Sequence, residues 1–211
     1  MIKRLTDEIS FPDYSEANID GIIAYGGDLS VERLKLAYRK GIFPWYNPGE
    51  PILWWFPDPR FVLFPNELKI SKSMKKILKD GIFEFTENKA FEQVIDNCQK
   101  IHRPGQHGTW ITEEMKSSYT ELNRQGIAKS FEVWQNHELV GGFYGIEQSR
   151  VFCGESMFAK VSNASKAGFI RFVQKYSERY EVIDCQVYTQ HLESLGAREI
   201  SAKDFLKFLN P

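Results

Sequence analysis

Apolar positions recur at helical spacing in several segments of the first half of the chain. Leu34, Ala37 and Tyr38 share one face of a segment that Ser30 can cap and that Gly41 ends. Three further segments have the same period, and each has a capping residue at or near its start. The pattern predicts helices over about residues 30–40, 71–79, 88–98 and 112–125.

The second half of the chain has a different pattern, which predicts a sheet. Residues 130–134, 138–146 and 150–158 are strand-like runs separated by short polar turns, and this favours an antiparallel meander. Ser162 or Asn163 then opens a helix, and EVIDCQVYT (181–189) is the next predicted strand. A short helix closes the chain. This order of elements predicts an α+β fold.

The segment GIFPWYNPGEPILWWFPDP, residues 41–59, fits neither pattern. It holds three of the five tryptophans and five of the nine prolines in the chain. Helices and central strands tolerate few prolines, because each one removes a backbone donor and fixes φ. We interpret the segment as a stiff connection, outside regular structure, whose rings mostly pack two parts of the chain against each other. A loop-like stretch near residues 100–108 places the predicted domain boundary between 105 and 106.

Composition excludes several classes of protein. The formal net charge of −1 predicts no strong global attraction to nucleic acid, so any such binding needs a local patch. Three cysteines without paired spacing favour a reducing compartment. No signal peptide is recognisable, and no apolar run approaches the roughly 20 residues of a membrane span, so we expect a cytoplasmic protein without membrane contact. Four scattered histidines predict that there is no metal site.

Two polar side chains stand out in the predicted strand 181–189. Strand alternation places Asp184 and Gln186 on one face, roughly 6–7 Å apart. Such a pair in an apolar strand costs free energy unless its hydrogen bonds are satisfied. One interpretation is a structural pair that bonds nearby loops. The other is functional: Asp184 orients Gln186, whose carbonyl accepts a hydrogen bond from a reacting group.

Glu155 and the stretch NASK (163–166) leave similar alternatives open. Glu155 lies in an apolar run, where it either faces solvent, pairs with a lysine, or anchors a cationic group. The small polar residues of NASK either cap a helix in the ordinary way or bind an anion at its start.

Lysines are frequent between residues 69 and 79. A solvated helix face explains such a run. Basic side chains near aromatic rings also suit a single-stranded nucleic-acid end, whose bases stack on the rings. Trp110 is a further candidate ring, with core packing as the alternative. The lysines that would contact phosphates are Lys72, Lys75, Lys76 and Lys79.

Motifs from about residue 11 to residue 206 form an ordered set. The stretch 20–65, which contains the proline-aromatic segment, is followed by TWIT, LVGGFYG, FCGESMF, NASK, IDCQV and SLGAREI. No single motif is decisive. In order and spacing, the set closely resembles the leucyl/phenylalanyl-tRNA–protein transferase family.

The resemblance implies a small N-terminal domain (1–105) followed by an N-acetyltransferase-like (GNAT-type) acyltransferase domain (106–211), with no cofactor. It implies transfer of leucine or phenylalanine, and less readily methionine, from aminoacyl-tRNA to proteins that begin with Arg or Lys. The products are then degraded through the N-end rule pathway. The implied partners are aminoacyl-tRNA and acceptor proteins, and we expect a monomer.

The resemblance also implies roles for individual residues. Asp184 and Gln186 match the catalytic pair of the family, and Glu155 matches the glutamate that helps to hold the aminoacyl substrate. Trp45 and Trp110 match the positions that hold the terminal adenosine. The implied apolar pocket for the amino-acid side chain is lined by Phe143, Phe152, Met157, Phe169 and Ile183.

One of these assignments conflicts with strand alternation. Strict alternation puts Phe152 and Glu155 on opposite faces of one strand, and a bulge at Gly154 would reconcile them. Phe143 is bulkier than the residue that some family members carry there, which leaves the preference among Leu, Phe and Met open.

Two rival functions fit parts of the pattern. An acetyl-CoA-dependent N-acetyltransferase would share the fold, but SNASKAGF lacks the pyrophosphate loop that those enzymes usually carry at this helix. A non-catalytic RNA-binding module accounts for the lysines and tryptophans, but it leaves Asp184, Gln186 and Glu155 unexplained.

Overall fold

The computed structural model describes residues 2–101 and 109–209. Within these residues, the strands form one four-stranded and one seven-stranded sheet. The α+β class predicted from the sequence is confirmed by these sheets and the helices packed on them.

The smaller sheet has the order β1-β2-β4-β3 and lies in the N-terminal part of the chain. The proline-aromatic segment contributes two of its strands, so the expectation that this segment stays outside regular structure is wrong. Pro44 is tolerated because its strand lies at the sheet edge, where a missing backbone donor costs little. The elements are β1 (Lys3–Leu5), β2 (Ile22–Gly26), α1 (Val31–Arg39), β3 (Phe43–Pro44) and β4 (Leu53–Trp55).

The larger sheet has the order β11-β5-β10-β9-β8-β7-β6. The predicted meander is confirmed as β7, β8 and β9, and β10 then returns parallel to β9. This sequence of a meander, a helix and a parallel returning strand is the arrangement that the predicted GNAT-type domain requires. The strands are β5 (Arg60–Leu63), β6 (Glu84–Glu87), β7 (Ala128–Gln135), β8 (Glu138–Gln148), β9 (Val151–Ala159), β10 (Val182–Asp184) and β11 (Arg198–Ile200).

The helices pack on both faces of the larger sheet. Four helices that apolar spacing predicts in the first half are confirmed as α1, α2 (Lys72–Asp80), α3 (Phe91–Lys100) and α4 (Glu113–Arg124), with α3 starting at Phe91 rather than at Asn88. The remaining α-helices of the described residues are α5 (Ala164–Lys175), α6 (Gln190–Glu193) and α7 (Ala202–Leu209). One core surrounds α3, α4 and the smaller sheet, and a second core surrounds α5.

The predicted strand 181–189 is much shorter than expected. Pairing ends at Asp184, because Gln186 has a left-handed backbone with φ of 64°. The alternation that placed Asp184 and Gln186 on one strand face therefore does not apply, and a tight turn relates the two residues instead.

The predicted domain boundary, between 105 and 106, falls in residues 102–108, outside the described residues. The larger sheet takes β5 and β6 from before this point, so the boundary does not coincide with an edge of that sheet. Among the described residues, no helix is both long and apolar enough to cross a membrane. The same residues contain no grouping of side chains that could hold a metal ion. The monomeric state and the cytoplasmic location stay predictions.

Candidate active site

A cavity of about 440 Å³ opens at the point where β10 ends beside β9. The two strands pair only as far as Cys153 and Asp184, whereas β9 continues to Ala159. The gap between them is lined by side chains from both sheets and from α5 and α6. The lining residues that carry the argument are Trp45, Trp110, Phe143, Glu155, Met157, Phe169, Ile183, Asp184, Gln186, Thr189, His191 and Leu192.

Asp184 forms the floor of the cavity and is fully buried. Its two carboxylate oxygens accept hydrogen bonds from Nε and Nη2 of Arg60 at 2.8 and 2.7 Å. The Arg60 guanidinium lies between the rings of Phe43 and Phe205, 4.9 and 4.7 Å from their centroids. Sequence analysis missed Arg60. It follows the proline-aromatic segment directly, and no local pattern indicates that it pairs with a residue far along the chain.

Gln186 follows Asp184 in a three-residue turn. Its backbone N–H donates to Oδ1 of Asp184 at 2.9 Å, and the N–H of Val187 donates to the carbonyl of Cys185 at 2.8 Å. The side-chain amide of Gln186 donates to Oε1 of Glu155 at 2.9 Å. Among the described residues no donor contacts Oε1 of Gln186, so this carbonyl oxygen is available to a substrate.

Glu155 joins the turn to the opposite side of the sheet. Its second oxygen accepts a hydrogen bond of 3.1 Å from the hydroxyl of Tyr119 on α4, which is itself hydrogen-bonded to the hydroxyl of Tyr38 on α1. Burial raises the pKa of the Glu155 carboxyl to about 7, and the hydrogen bonds of the two tyrosines oppose this rise. Burial and the charge of Glu155 raise the pKa of both tyrosines, so both remain protonated donors at neutral pH. The sequence pattern places Tyr38 on the apolar face of a predicted helix and assigns neither tyrosine to a site.

A bulge in β9 sets the direction of the Glu155 side chain. In the ladder with β8, Tyr144 pairs with Ser156 and Gly145 pairs with Gly154, so Glu155 is the extra residue. The bulge lies one residue beyond the predicted position. It does not bring Phe152 and Glu155 to one face, because Phe152 packs toward α5 and Glu155 bonds α4.

Phe152 is the one predicted pocket residue that does not line the cavity. It is fully buried behind the wall, with its ring 6.2 Å from that of Phe143 and 4.6 Å from that of Phe172. The other four predicted residues do line the cavity, and they form its apolar side: Phe143, Met157, Phe169 and Ile183.

Trp45 and Trp110 line the same cavity, although they come from distant parts of the chain. Trp45 is 41% exposed, and its ring lies 5.3 Å from that of Trp55. The indole N–H of Trp55 donates to the carbonyl of Trp45 at 2.6 Å, which holds the backbone of Trp45 in place. By contrast, Trp54 is fully buried and donates to the carbonyl of Gly26.

The lysines of α2 lie outside the cavity. All four predicted phosphate contacts (Lys72, Lys75, Lys76 and Lys79) are exposed, while Met74 packs the helix onto the core. The helix contacts α5. An exposed face of this kind is compatible both with solvent and with a bound polyanion.

His191 is a cavity residue that sequence reasoning did not single out. Its Nε2 is buried and has no hydrogen-bond partner among the described residues. Burial and the charge of Lys166 lower the pKa of its imidazole, so the neutral form dominates at pH 7. The NASK stretch also reaches the cavity, through Ser165 in the first turn of α5. The side chain of Asn163 does not cap this helix.

Comparisons with known proteins cover nearly the whole chain. A family model described as leucyl/phenylalanyl-tRNA protein transferase matches residues 62–210, and the model of its N-terminal domain matches residues 27–58. A protein of Flavobacterium johnsoniae with that description is 61% identical, over 97% of this chain and 97% of that one. A counterpart from Flavobacterium psychrophilum is 55% identical, over 97% of this chain and 98% of that one. A GCN5-related N-acetyltransferase-like structure from Streptococcus suis has a TM-score of 0.40 at 11% identity, covering 69% of this chain and 58% of that one.

Proposed function

Since the chain belongs to the leucyl/phenylalanyl-tRNA–protein transferase family, we propose that the cavity between β9 and β10 is the site of aminoacyl transfer. The enzyme moves leucine or phenylalanine, and less readily methionine, from aminoacyl-tRNA to proteins that begin with Arg or Lys. The product enters the N-end rule degradation pathway. This membership decides against the two rival functions, an acetyl-CoA-dependent enzyme and a non-catalytic RNA-binding module.

The observation that carries the proposal is a continuous hydrogen-bonded chain along one wall of the cavity. It runs from Arg60 through Asp184, Gln186 and Glu155 to Tyr119. All of these residues except Gln186 are buried, so the chain holds the Gln186 amide in one orientation. Gln186 lines a cavity that has an apolar side and that Trp45 and Trp110 also line, and its carbonyl oxygen accepts no hydrogen bond from the described residues.

In the proposed reaction the α-amine of the acceptor attacks the ester carbonyl carbon of the aminoacyl-tRNA. A C–N bond forms, the C–O bond to the terminal adenosine breaks, and a proton passes from the amine to the departing 3′ oxygen. An α-amine has a pKa of about 8, so a useful fraction is neutral near pH 7 and no strong base is needed. The carbonyl of Gln186 orients the amine and accepts its hydrogen bond as positive charge develops.

The remaining side chains bind the donor. The carboxylate of Glu155 pairs with the α-ammonium of the aminoacyl group, and the apolar side of the cavity accepts its side chain. Because the side chains on that side offer no hydrogen-bonding group, they accept the side chains of Leu, Phe and Met alike. Trp45 and Trp110 hold the terminal adenosine by stacking, which depends little on base identity.

The direct test is transfer of labelled leucine from Leu-tRNA to a peptide that begins with Arg. Transfer is expected with the wild-type chain. No label in the peptide, while the tRNA stays charged, would overturn the proposal. The matched variant is Gln186→Asn, because asparagine tolerates the left-handed backbone but its shorter side chain displaces the amide by about 1 Å. A displacement of this size can lower kcat about a hundredfold. Unchanged turnover would remove Gln186 from the mechanism.

A further inference from the structure

The chain immediately after Gln186 is unusually exposed for a segment that borders a catalytic cavity. Val187 is 41% exposed and Tyr188 is 53% exposed, and Val187 and Thr189 line the mouth of the cavity. The Cα atoms of Gln186 and Tyr188 are at most about 7 Å apart, because only Val187 lies between them along the chain. A half-exposed aromatic residue therefore lies two positions along the chain from the residue whose amide would orient the acceptor amine.

Tyr188 is held in place by its neighbours. Its ring packs edge-on against that of Phe61, with centroids 5.4 Å apart, and its hydroxyl donates to Oε2 of Glu193 at 2.8 Å. Thr189 is the N-cap of α6, and Glu193 stands four residues later on the same side of that helix. The ring and the carboxylate therefore form one exposed surface; neither lines the cavity, but their chain neighbours Val187, Thr189 and Leu192 do.

Glu193 is exposed, and within residues 2–101 and 109–209 it forms no ion pair. The acidic side chains that line the cavity itself are Asp184 and Glu155. The first is saturated by Arg60, and the second accepts bonds from Tyr119 and Gln186 deep in the site. Of these three carboxylates, only Glu193 can receive a long basic side chain that approaches from solvent.

Building on the proposed function, we propose that Tyr188 and Glu193 form the subsite for the basic side chain of the acceptor's N-terminal residue. The aliphatic stem of an N-terminal Arg or Lys lies along the Tyr188 ring, and its cationic head pairs with Glu193. A cation beside both an aromatic face and a carboxylate gains from both. A neutral side chain of the same shape forms neither the cation–π contact nor the ion pair, so this surface selects basic acceptors.

The test compares two acceptor peptides that are identical except for their first residue, arginine in one and citrulline in the other. Citrulline has nearly the shape of arginine but no charge. The measured quantity is the ratio of kcat/KM for labelled-leucine transfer to the two peptides. In Glu193→Gln this ratio is expected to fall about two- to fivefold, through a higher KM for the arginine peptide, as for other exposed ion pairs. In Glu193→Lys it is expected to fall further.

The control is Glu178→Gln, which neutralises an exposed carboxylate that does not line the cavity. It should keep the wild-type ratio. An unchanged ratio in Glu193→Gln, or an equal loss for both peptides, would overturn the subsite. If the wild-type chain transfers leucine to neither peptide, it is the proposed function that fails, so the two failures are distinguishable.

Discussion

Arg60 and Asp184, 124 residues apart in the sequence, form a buried ion pair with two hydrogen bonds directly beneath the Gln186 turn. Arg60 lies on β5, which follows the smaller sheet, and Phe205 of α7 packs on its guanidinium. The pair therefore joins three distant parts of the chain. Its second role is local, because Oδ1 of Asp184 also accepts the backbone N–H of Gln186.

The first prediction separates these two roles. Arg60→Met leaves the Asp184 charge buried and unpaired, and should lower the free energy of unfolding by about 3–5 kcal/mol. The double variant Arg60→Met/Asp184→Leu removes both charges and should recover most of that loss. It should nevertheless stay inactive, because the backbone of Gln186 has lost its acceptor. Urea unfolding and leucine transfer measure the two effects, and a double variant with normal turnover would show that the pair does not position Gln186.

Strand alternation predicts that Asp184 and Gln186 share one strand face; the two residues are neighbours in the structure, but a turn relates them instead. A residue outside glycine and asparagine rarely adopts a positive φ, so nothing in IDCQV predicts the turn at Gln186. The partners Arg60, Tyr38 and Tyr119 could not be foreseen either, since their contacts with the site depend on tertiary packing. The helices were predictable because their signal is periodic and local.

The smaller sheet was missed for a related reason. Its strands are two to five residues long, too short for a period to show, and prolines interrupt the segment that supplies two of them. Similarly, β5 and β6 contain four residues each and pair with strands far along the sequence. Short strands of this kind are fixed by their neighbours rather than by their own pattern.

The second prediction concerns the pH dependence of stability. The pKa of Glu155 in the folded protein is about 7, above its ordinary value of 4.5, so the folded state binds the extra proton. Its contribution to stability is therefore fully present below pH 4.5 and is lost as the pH rises through 7. Relative to Glu155→Gln, the wild-type chain should lose on the order of 2–3 kcal/mol between pH 4.5 and pH 8.

Urea unfolding of both proteins across this range measures the difference. Other titrating groups, such as Asp28 with its lowered pKa, are common to both proteins and cancel in the comparison. Glu178→Gln serves as the control and should give a flat difference from wild type. A flat difference for Glu155→Gln would mean that Glu155 ionises at its ordinary pKa despite its burial.

The third prediction uses the contrast between two phenylalanines of one core. Phe169 lines the cavity, whereas Phe152 is buried behind it. Replacing either with leucine should cost stability by about 1–2 kcal/mol. Only Phe169→Leu should change the ratio of kcat/KM for Phe-tRNA and Leu-tRNA, because of the two rings only Phe169 lines the cavity that we propose holds the transferred side chain. If Phe152→Leu shifted the ratio as strongly, Phe152 would contribute to selectivity through the wall it supports.

The fourth prediction tests the lysines of α2 as ligands of the tRNA backbone. For each phosphate that a lysine neutralises, replacing that lysine should reduce the slope of log affinity against log salt concentration by about 0.7 to 0.9. The variant carries glutamine at the four predicted positions, Lys72, Lys75, Lys76 and Lys79. Its affinity for aminoacyl-tRNA, measured at several salt concentrations, should fall most at low salt. Transfer from a short aminoacyl-adenosine donor should stay normal, because none of these lysines lines the cavity.

Two exposed lysines of α7, Lys203 and Lys207, provide the matched control for these charge changes. Replacing both with glutamine should leave the salt slope unchanged. Lysines that do not contact the tRNA phosphates displace no counterions from them, so their removal does not alter the slope. Equal slopes in wild type and in the α2 variant would mean that the lysine face is only solvated. Cavity side chains would then supply the affinity for tRNA, with Trp45 and Trp110 as the first rings to replace.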